Sequence, residues 1–288
     1  MIDTLQQALN RAREEQAGGA AYGRSAEAVR AQQPALAGSS AIAAVAPVSA
    51  GAGPGSRFAA DAPFLRQATP LVPLDREHLH RHCIATGAAD DPLRAPFDLL
   101  RTRLVQRMRT EGWKTLAVLS PDEGEGKTMT AINLAMSIAR LPSHTAMLLD
   151  LDFRCPGLLS TLGHRPAFGI DDWLAGACVF EQTLFSPDSA RLVASGVRAP
   201  VAGHAEMLAS RRVVSQIDEV ASRYEDRVII VDMPSMLRSD AALMLIPHID
   251  CFLMVVAAGQ TLGHRVKECL AMIPRGRFLG TILNKSLH

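Results

Sequence analysis

The sequence predicts an α/β protein with a mostly parallel sheet and helices on both faces of that sheet. Six short apolar runs alternate with longer stretches of helical periodicity in the C-terminal part of the chain. Nearly continuous apolar runs are typical of strands buried on both faces, and their alternation with helices favours a parallel sheet. The predicted strands are residues 115–120, 145–150, 190–195, 227–232, 251–256 and 278–283. The clearest predicted helices are residues 128–140, 205–224 and 261–273.

Composition divides the chain of 288 residues into three predicted parts. Residues 1–16 place apolar side chains at helical spacing, which predicts a short amphipathic helix. Residues 17–70 are rich in Ala, Gly, Pro and Ser, and such a segment has too little apolar surface to order itself. We therefore expect a disordered N-terminal arm followed by one folded domain over residues 71–288.

Charge and cysteine usage limit the classes of partner and compartment. Lys and Arg number 30 against 29 Asp and Glu, and this net charge of +1 gives no electrostatic reason to expect a nucleic-acid partner. The five cysteines are dispersed without a CxxC pair, which is typical of reduced thiols in a cytosolic protein. The polar first residues do not resemble a secretory signal, and no stretch has the apolar density of a membrane span. These features predict a cytoplasmic location.

The stretch "SPDEGEGKTMTAINLA", residues 120–135, joins a predicted strand to a predicted helix. Gly124 and Gly126 allow the backbone to approach oxygen atoms closely, so that successive N–H groups form an anion nest. The N-terminus of the following helix adds a partial positive charge. Lys127 is expected to reach the β- and γ-phosphates of ATP, and the Thr128 hydroxyl to bind Mg²⁺. The stretch therefore predicts a phosphate-binding loop, or P-loop.

The loop departs from the usual pattern GxxxxGK[ST] at one position, because Pro121 stands where the first glycine is expected. Glu125 lies between the two remaining glycines and belongs to the same loop. The alternative interpretation is a solvated loop with a chance Gly-Lys-Thr. The strand before the loop and the helix after it favour the phosphate loop.

Three aspartates follow predicted strands at the edge of the sheet where the phosphate loop lies. Asp150 and Asp152 come at the end of "MLLDLDF", and Asp232 ends "VIIVD". Ligands of an open parallel sheet bind beyond the carboxyl ends of its strands, and carboxylates there are suited to hold Mg²⁺ directly or through water. Each aspartate alone could be a turn residue, but the set predicts a site for ATP and Mg²⁺.

Several motifs together resemble a known family. "GEGKT", "NLA", "LLDLDFR", "VIIVD", "VVAAGQT" and "ILNK" occur in this order over about residues 95–285. In order and spacing they resemble the bacterial tyrosine-kinase family of exopolysaccharide and capsule synthesis. The segments "ALNRAREEQ" and "VPLDREHLH" are similar to variants found at exosortase-associated exopolysaccharide loci. The resemblance implies a P-loop ATPase or kinase that regulates polysaccharide synthesis and export.

The resemblance also implies roles for individual residues. The residues that it assigns to catalysis are Lys127, Asp150, Asp152 and Asp232. The residues that it assigns to the nucleotide are Gly124, Glu125, Gly126, Lys127, Thr128 and Asn284. The residues that it assigns to the metal are Thr128, Asp150 and Asp232. Asn284 is expected to recognise adenine through its amide, and the alternative is a simple turn residue.

Two departures from the family pattern bear on kinase activity. Members that phosphorylate themselves usually carry a C-terminal tyrosine cluster, but this chain has only Tyr22 and Tyr224. The family's oligomerisation helix carries ExxRxxR, and the aligned residues here are Ala95, Asp98 and Arg101. We therefore expect tyrosine autokinase activity to be degenerate or absent. A homo-oligomer remains one expectation, but most of the family's ring-forming pattern is missing.

Three functions remain open from the sequence. The first is an ATP-hydrolysing, kinase-like enzyme, and the second is a nucleotide-loaded scaffold without turnover. Both imply a partner at the inner membrane, namely a chain-length or polysaccharide co-polymerase protein that recruits the chain there. The third is a partitioning-type ATPase, which usually carries a lysine early in the phosphate loop. Asp122 occupies that position here, which disfavours the third function.

Two further groups of residues could suggest other chemistry. His78 and His82 would share a helix face beside Cys83, but no second pair of metal ligands has suitable spacing. A surface helix is the preferred interpretation. Cys155 follows Arg154 and could be an activated thiol, although an inert cysteine is favoured.

Overall fold

The computed structural model describes residues 69–88, 90–208, 210–223 and 227–286. The helix expected at residues 1–16 and the linker up to residue 68 lie outside the described residues. The same is true of Tyr22 and Tyr224.

The described chain alternates strands and helices as the sequence predicts. The strands are β1 Leu71–Val72, β2 Thr115–Leu119, β3 Thr145–Asp150, β4 Ser186–Pro187, β5 Leu192–Ser195, β6 Arg227–Asp232, β7 Cys251–Ala257 and β8 Phe278–Asn284. The first five helices are α1 Arg76–Arg81, α2 Arg94–Glu111, α3 Lys127–Ala139, α4 Leu158–Leu162 and α5 Ile170–Ala175. The remaining helices are α6 His204–Leu208, α7 Arg211–Arg223, α8 Ala241–Leu245 and α9 Gly263–Met272. Two 3₁₀ turns lie at Phe180–Thr183 and Ile246–His248.

Six strands form one parallel sheet in the order β5-β3-β6-β2-β7-β8. All six were predicted from apolar runs, and their parallel arrangement confirms the predicted fold class. In the β3–β6 pair, Asp150 lies directly opposite Asp232. The register thus brings two of the predicted site carboxylates together at the same edge of the sheet, on β6, which neighbours β2 and its phosphate loop, and on β3, the next strand beyond β6.

Two hydrophobic cores lie on the two faces of this sheet. Alternate residues of β2 belong to different cores: Leu116 and Val118 pack on the face covered by α2 and α3, whereas Ala117 and Leu119 pack on the face covered by α7 and α8. Because successive side chains of a strand point to opposite faces, a continuous apolar strand supplies both cores. The helices on both faces are therefore confirmed.

Two details differ from the sequence prediction. The single helix predicted at residues 205–224 is two helices, α6 and α7. The Ser210 hydroxyl accepts a hydrogen bond from the backbone N–H of Val213 at 3.3 Å, which caps the start of α7 and separates it from α6. The short strands β1 and β4 form a separate parallel pair. Each has only two residues, which is too short to produce an alternating pattern in the sequence.

Candidate functional site

The phosphate loop joins β2 to α3 and depends on its glycines. Gly124 has φ +73° and Gly126 has φ +97°, both in the left-handed region that favours glycine. Gly126 caps the N-terminus of α3. A Cβ atom at this position would collide with the side-chain amide of Asn284. The predicted loop is therefore present as a tight turn that ends at a helix N-terminus.

Lys127 is the first residue of α3 and is buried. Its Nζ lies 2.8 Å from Oδ2 of Asp152, and only 8% and 2% of the two side chains are exposed. Burial alone would lower the pKa of Lys127, but the carboxylates of Asp232, Asp152 and Asp150 outweigh burial and raise this pKa. The lysine therefore remains charged and is held against the carboxylates of the site.

Thr128 and Asp232 form a second buried contact at the same helix start. The Thr128 hydroxyl donates to Oδ2 of Asp232 at 2.6 Å. Oδ1 of Asp232 is buried and has no hydrogen-bond partner within the described residues. Burial raises the pKa of Asp232, although Lys127 and the Thr128 hydrogen bond act in the opposite direction. An orphaned buried carboxylate oxygen is costly, and a bound cation would satisfy it.

Asp150 lies at the end of β3 and is fully buried. One of its oxygens accepts from the N–H of Asp152 at 2.9 Å, and the other accepts from the N–H groups of Gly157 and Leu158 at 3.2 and 3.1 Å. Burial and the nearby charge of Asp232 raise the pKa of Asp150 well above its usual value. Its hydrogen bonds organise the turn after β3, and that turn places Asp152 against Lys127.

Hydrogen bonds of the Glu125 and Asn284 side chains stabilise the phosphate loop. The Glu125 side chain is buried, and Oε2 accepts from the N–H of Asp122 at 3.1 Å. The Thr261 hydroxyl donates to Oε1 of Glu125. Asn284, at the end of β8, donates from Nδ2 to the backbone carbonyl of Glu125 at 2.8 Å. The sequence predicts Glu125 and Asn284 as nucleotide-binding residues, but it does not single out Thr261. Thr261 is the last residue of the motif "VVAAGQT", and this position is the signal that could have indicated it.

The other groups considered from the sequence have ordinary structural surroundings. Nε2 of His78 lies 3.0 Å from the carbonyl of Ser160, and Nδ1 of His82 lies 2.9 Å from the carbonyl of His78. The two imidazole rings stack with centroids 4.3 Å apart. Burial, together with the carboxylates of Glu123 and Asp152, raises the pKa of Cys155, which does not favour an activated thiol.

The described residues contain no group of three or more His, Cys, Asp or Glu side chains that could hold a metal ion by themselves. Mg²⁺ bound with a nucleotide usually keeps several waters and takes phosphate oxygens as ligands, so it needs few ligands from the protein. The glycine turn, the helix N-terminus and the orphaned oxygen of Asp232 fit a nucleotide with Mg²⁺. The fold and the site together define a P-loop nucleotide-binding protein.

Comparison with known proteins places the chain within this class. It is 30% identical to the tyrosine-protein kinase CpsD of Streptococcus pneumoniae serotype 4 over 177 residues, which cover 60% of this chain and 76% of CpsD. The structure matches the crystal structure of the VpsO kinase domain with a TM-score of 0.58 and 25% identity, covering 66% of this chain and 93% of that domain. No protein-family profile matches the chain. The chain belongs to the bacterial tyrosine-kinase family of capsule and exopolysaccharide synthesis.

A longer relative is matched over only part of its length. The succinoglycan biosynthesis transport protein ExoP of Rhizobium meliloti is 29% identical over 182 residues, which cover 60% of this chain but only 22% of ExoP. Among the described residues of this chain, none of the helices has the length and apolar character needed to cross a bilayer.

Proposed function

We propose that the chain binds ATP with Mg²⁺ at the phosphate loop and hydrolyses ATP, as a kinase-like regulator of exopolysaccharide or capsule synthesis and export. One observation carries this proposal: Lys127 and Thr128, adjacent residues at the start of α3, contact Asp152 and Asp232 at 2.8 and 2.6 Å. These contacts support the proposal because they bring the residues that we assign to phosphate and to metal together within one buried site.

The residues of the site have complementary tasks. On nucleotide binding, Lys127 would exchange Asp152 for the β- and γ-phosphates, and the loop N–H groups would hold the phosphate oxygens. Thr128 and Asp232 would hold Mg²⁺, which would supply positive charge against the negative charge of the phosphates. Oδ1 of Asp152 already accepts from the N–H of Cys155 at 2.9 Å. Its Oδ2, once released by Lys127, would accept a proton from the attacking water. Asp150 fixes the turn that carries Asp152, and from its position beside Asp232 it would bind the metal through water.

Asn284 is assigned to the adenine ring. Nδ2 of Asn284 is engaged with the carbonyl of Glu125. Its Oδ1 has no hydrogen-bond donor among the described residues. An amide oxygen in this position can accept from the exocyclic amino group of adenine, whereas the corresponding position of guanine carries a carbonyl oxygen.

Tyrosine autophosphorylation is expected to be weak or absent. Oδ1 of Asp98 accepts from the guanidinium groups of Arg101 and Arg140 at 3.0 and 2.8 Å, and from the Ser137 hydroxyl at 2.6 Å. Arg101, which is the one basic residue kept from the family's oligomerisation pattern, is therefore paired within its own chain. This supports the view that α2 does not act as a ring interface of the usual kind.

The proposed partner is a chain-length or co-polymerase protein of the inner membrane, which would recruit this otherwise cytoplasmic chain. The support is membership of the family and the similarity to ExoP, a protein named for transport in succinoglycan biosynthesis. A nucleotide-loaded scaffold without turnover is the second candidate. The internal pairing of Arg101 favours the scaffold, because it occupies the one basic residue kept from the family's oligomerisation pattern. That pattern is associated with phosphoryl transfer between subunits.

Incubation of the full chain with Mg²⁺ and γ-labelled ATP, followed by peptide mapping, tests the proposal. We expect release of labelled phosphate, its loss in Asp152→Asn, and little phosphotyrosine. Transfer to tyrosine needs the acceptor hydroxyl held in line with the γ-phosphate. Strong label on Tyr22 that disappears in Tyr22→Phe would show an autokinase instead. Nucleotide binding without hydrolysis, both alone and with the membrane partner, would favour the scaffold.

A further inference from the structure

An arginine that belongs to no motif of the sequence lies beside the phosphate loop. Arg238 follows β6 in a turn that is joined to the start of the loop by backbone hydrogen bonds. The N–H of Met236 donates to the carbonyl of Ser120 at 2.9 Å, and the N–H of Leu237 donates to the carbonyl of Pro121 at 3.2 Å. These bonds fix the backbone of Arg238 next to the loop, whatever its side chain does.

The guanidinium of Arg238 is anchored on the loop by one nitrogen. Its Nε lies 2.9 Å from Oδ1 of Asp122, and 54% of the Arg238 side chain is exposed. Asp122 does not depend on this contact. Arg265 of α9 approaches both of its oxygens, with Nε 2.6 Å from Oδ2 and the NH2 group 2.7 Å from Oδ1. Arg265 alone can therefore neutralise the charge of Asp122, and Arg238 is not needed for that purpose.

The two terminal nitrogens of Arg238 contact no acceptor within the described residues. The side chain also lines an open cavity of about 740 Å³, so it can move without displacing packed groups. Three carboxylates line the same cavity, namely those of Glu206, Asp240 and Glu268. Each of them offers one negative charge at most. The phosphates of a bound nucleotide would carry more negative charge than any one of these carboxylates. They would therefore be a stronger acceptor for the guanidinium of Arg238.

The outer turn of the loop carries more positive than negative partners. Glu123 pairs with Arg154 at 3.5 Å, and Asp122 pairs with Arg238 and Arg265. Three guanidinium groups thus surround two carboxylates. Guanidinium groups thus border the outer turn of the phosphate loop, where they would stabilise a negative charge that develops on the phosphates.

Arg238 lies on the side of the loop that carries the carboxylates. The sheet places β6 and β3 on one side of β2, and β7 and β8 on the other. Asp152 and Asp232 follow the first pair of strands, whereas Asn284 ends β8. Arg154, two residues after Asp152, donates to the backbone carbonyl of Arg238. Because the γ-phosphate of a bound nucleotide would lie on the metal-binding side, this position puts the backbone of Arg238 on the side of the terminal phosphate rather than on the side of Asn284.

We propose that Arg238 is a catalytic residue of this chain that leaves Asp122 to contact the γ-phosphate of bound ATP. This rests on the proposed function and deepens it. In other phosphoryl-transfer enzymes an arginine contributes greatly to the rate, whether it is supplied in cis or by a partner. Here the group would come from the same chain, so that hydrolysis needs no arginine from a neighbouring subunit.

Nucleotide affinities of the full chain test the assignment. The affinities of Mg²⁺ complexes of ADP and of the non-hydrolysable ATP analogue AMP-PNP are measured by calorimetry. Arg238→Gln should weaken AMP-PNP binding by about tenfold or more, as for a lost charge-assisted hydrogen bond, and should change ADP binding less than about twofold. Arg198→Gln is the matched control. Arg198 is also a partly exposed arginine, paired with Asp172 at 2.6 Å, but it is not part of the loop.

A second variant separates contact with phosphate from support of the loop. Asp122→Asn removes the carboxylate that holds Arg238 but keeps the guanidinium. If Arg238 contacts the γ-phosphate, Asp122→Asn keeps the preference for AMP-PNP over ADP that Arg238→Gln loses. The assignment is wrong if Arg238→Gln affects both nucleotides equally or neither, or if Asp122→Asn reproduces its effect. If the parent binds neither nucleotide, the proposed function itself fails, and the absence of binding in the parent identifies that case.

Discussion

Nζ of Lys127 lies 2.8 Å from Oδ2 of Asp152, and both groups are buried. The lysine that a phosphate loop needs for its nucleotide is thus already paired with a carboxylate. Asp150 and Asp232 lie close enough to raise its pKa as well. The charge of Lys127 therefore compensates negative charge on the neighbouring carboxyl groups of Asp150, Asp152 and Asp232. Nucleotide binding must therefore exchange one anionic partner of Lys127 for another.

Lys127→Met is expected to abolish the increase in melting temperature that Mg-ATP gives to the parent. A ligand at about 100 times its Kd stabilises the folded state by about 2.7 kcal/mol, and thermal melts with and without Mg-ATP measure this shift. The variant also leaves Asp152 without its buried cation, so we expect a lower melting temperature without ligand. Lys127→Arg, which keeps the charge, is the control for that second effect. An unchanged Mg-ATP shift in Lys127→Met would exclude the loop as the nucleotide site.

Asp232→Asn should weaken Mg-nucleotide binding but should not destabilise the ligand-free protein at pH 7. Burial raises the pKa of Asp232 from 3.8 to about 6, so the folded state holds the proton more tightly than the unfolded chain does. Ionisation of Asp232 therefore costs stability, and the cost develops as pH rises from about 4 to 6. The amide removes this cost.

Urea unfolding of the ligand-free protein between pH 4 and 7 measures that effect. The parent should lose more stability over this range than Asp232→Asn does. Asp90→Asn, at an exposed position, is the control. Equal pH dependence in parent and Asp232→Asn would contradict the electrostatic account of this carboxylate.

Substitutions of Asn284 should separate its two tasks. Asn284→Asp keeps an oxygen but loses the Nδ2 donor to Glu125, whereas Asn284→Ala loses both groups. We expect both variants to bind ATP more weakly because the loop loses its support. If Oδ1 reads adenine, only Asn284→Ala should also lose the preference for ATP over GTP, as measured by calorimetry. An unchanged preference in Asn284→Ala would leave loop support as the role of this residue.

Asp98→Ala should destabilise the protein by about 1–3 kcal/mol, the usual cost of removing one partner from a charged hydrogen-bond network. Although burial opposes it, hydrogen bonds from Ser137 and Arg140 lower the pKa of Asp98 to about 2. A lowered pKa means that this stabilisation is complete above about pH 4 and is lost as pH falls towards 2. The difference between parent and variant in urea unfolding should therefore be smaller at pH 3 than at pH 7.

Glu111→Ala is the comparison for this network, since Glu111 forms an exposed ion pair with Arg107 on the same helix. Exposed pairs contribute little to stability, so this variant should unfold almost like the parent. If Asp98→Ala also unfolds like the parent, Asp98 does not stabilise the contact between α2 and α3.

The fold and the identity of the site residues could be read from the sequence because they depend on local patterns. A strand buried on both faces must be apolar throughout, and "TAMLLD" and "RVIIVD" coincide with β3 and β6. A phosphate loop needs glycine where φ is positive, and Gly124 and Gly126 meet that need. The glycines, Lys127, Thr128 and the aspartates are therefore predictable from the sequence without knowledge of any contact.

The tertiary structure alone decided which of these groups touch. That Lys127 pairs with Asp152, and Thr128 with Asp232, follows from the order of β3, β6 and β2 in the sheet. The contact between Arg238 and Asp122 joins residues 116 positions apart. Neither residue has a periodic or compositional signal that points to the other. Local sequence patterns report the backbone conformation and burial of a segment, but charge pairing across strands depends on which segments the fold brings together.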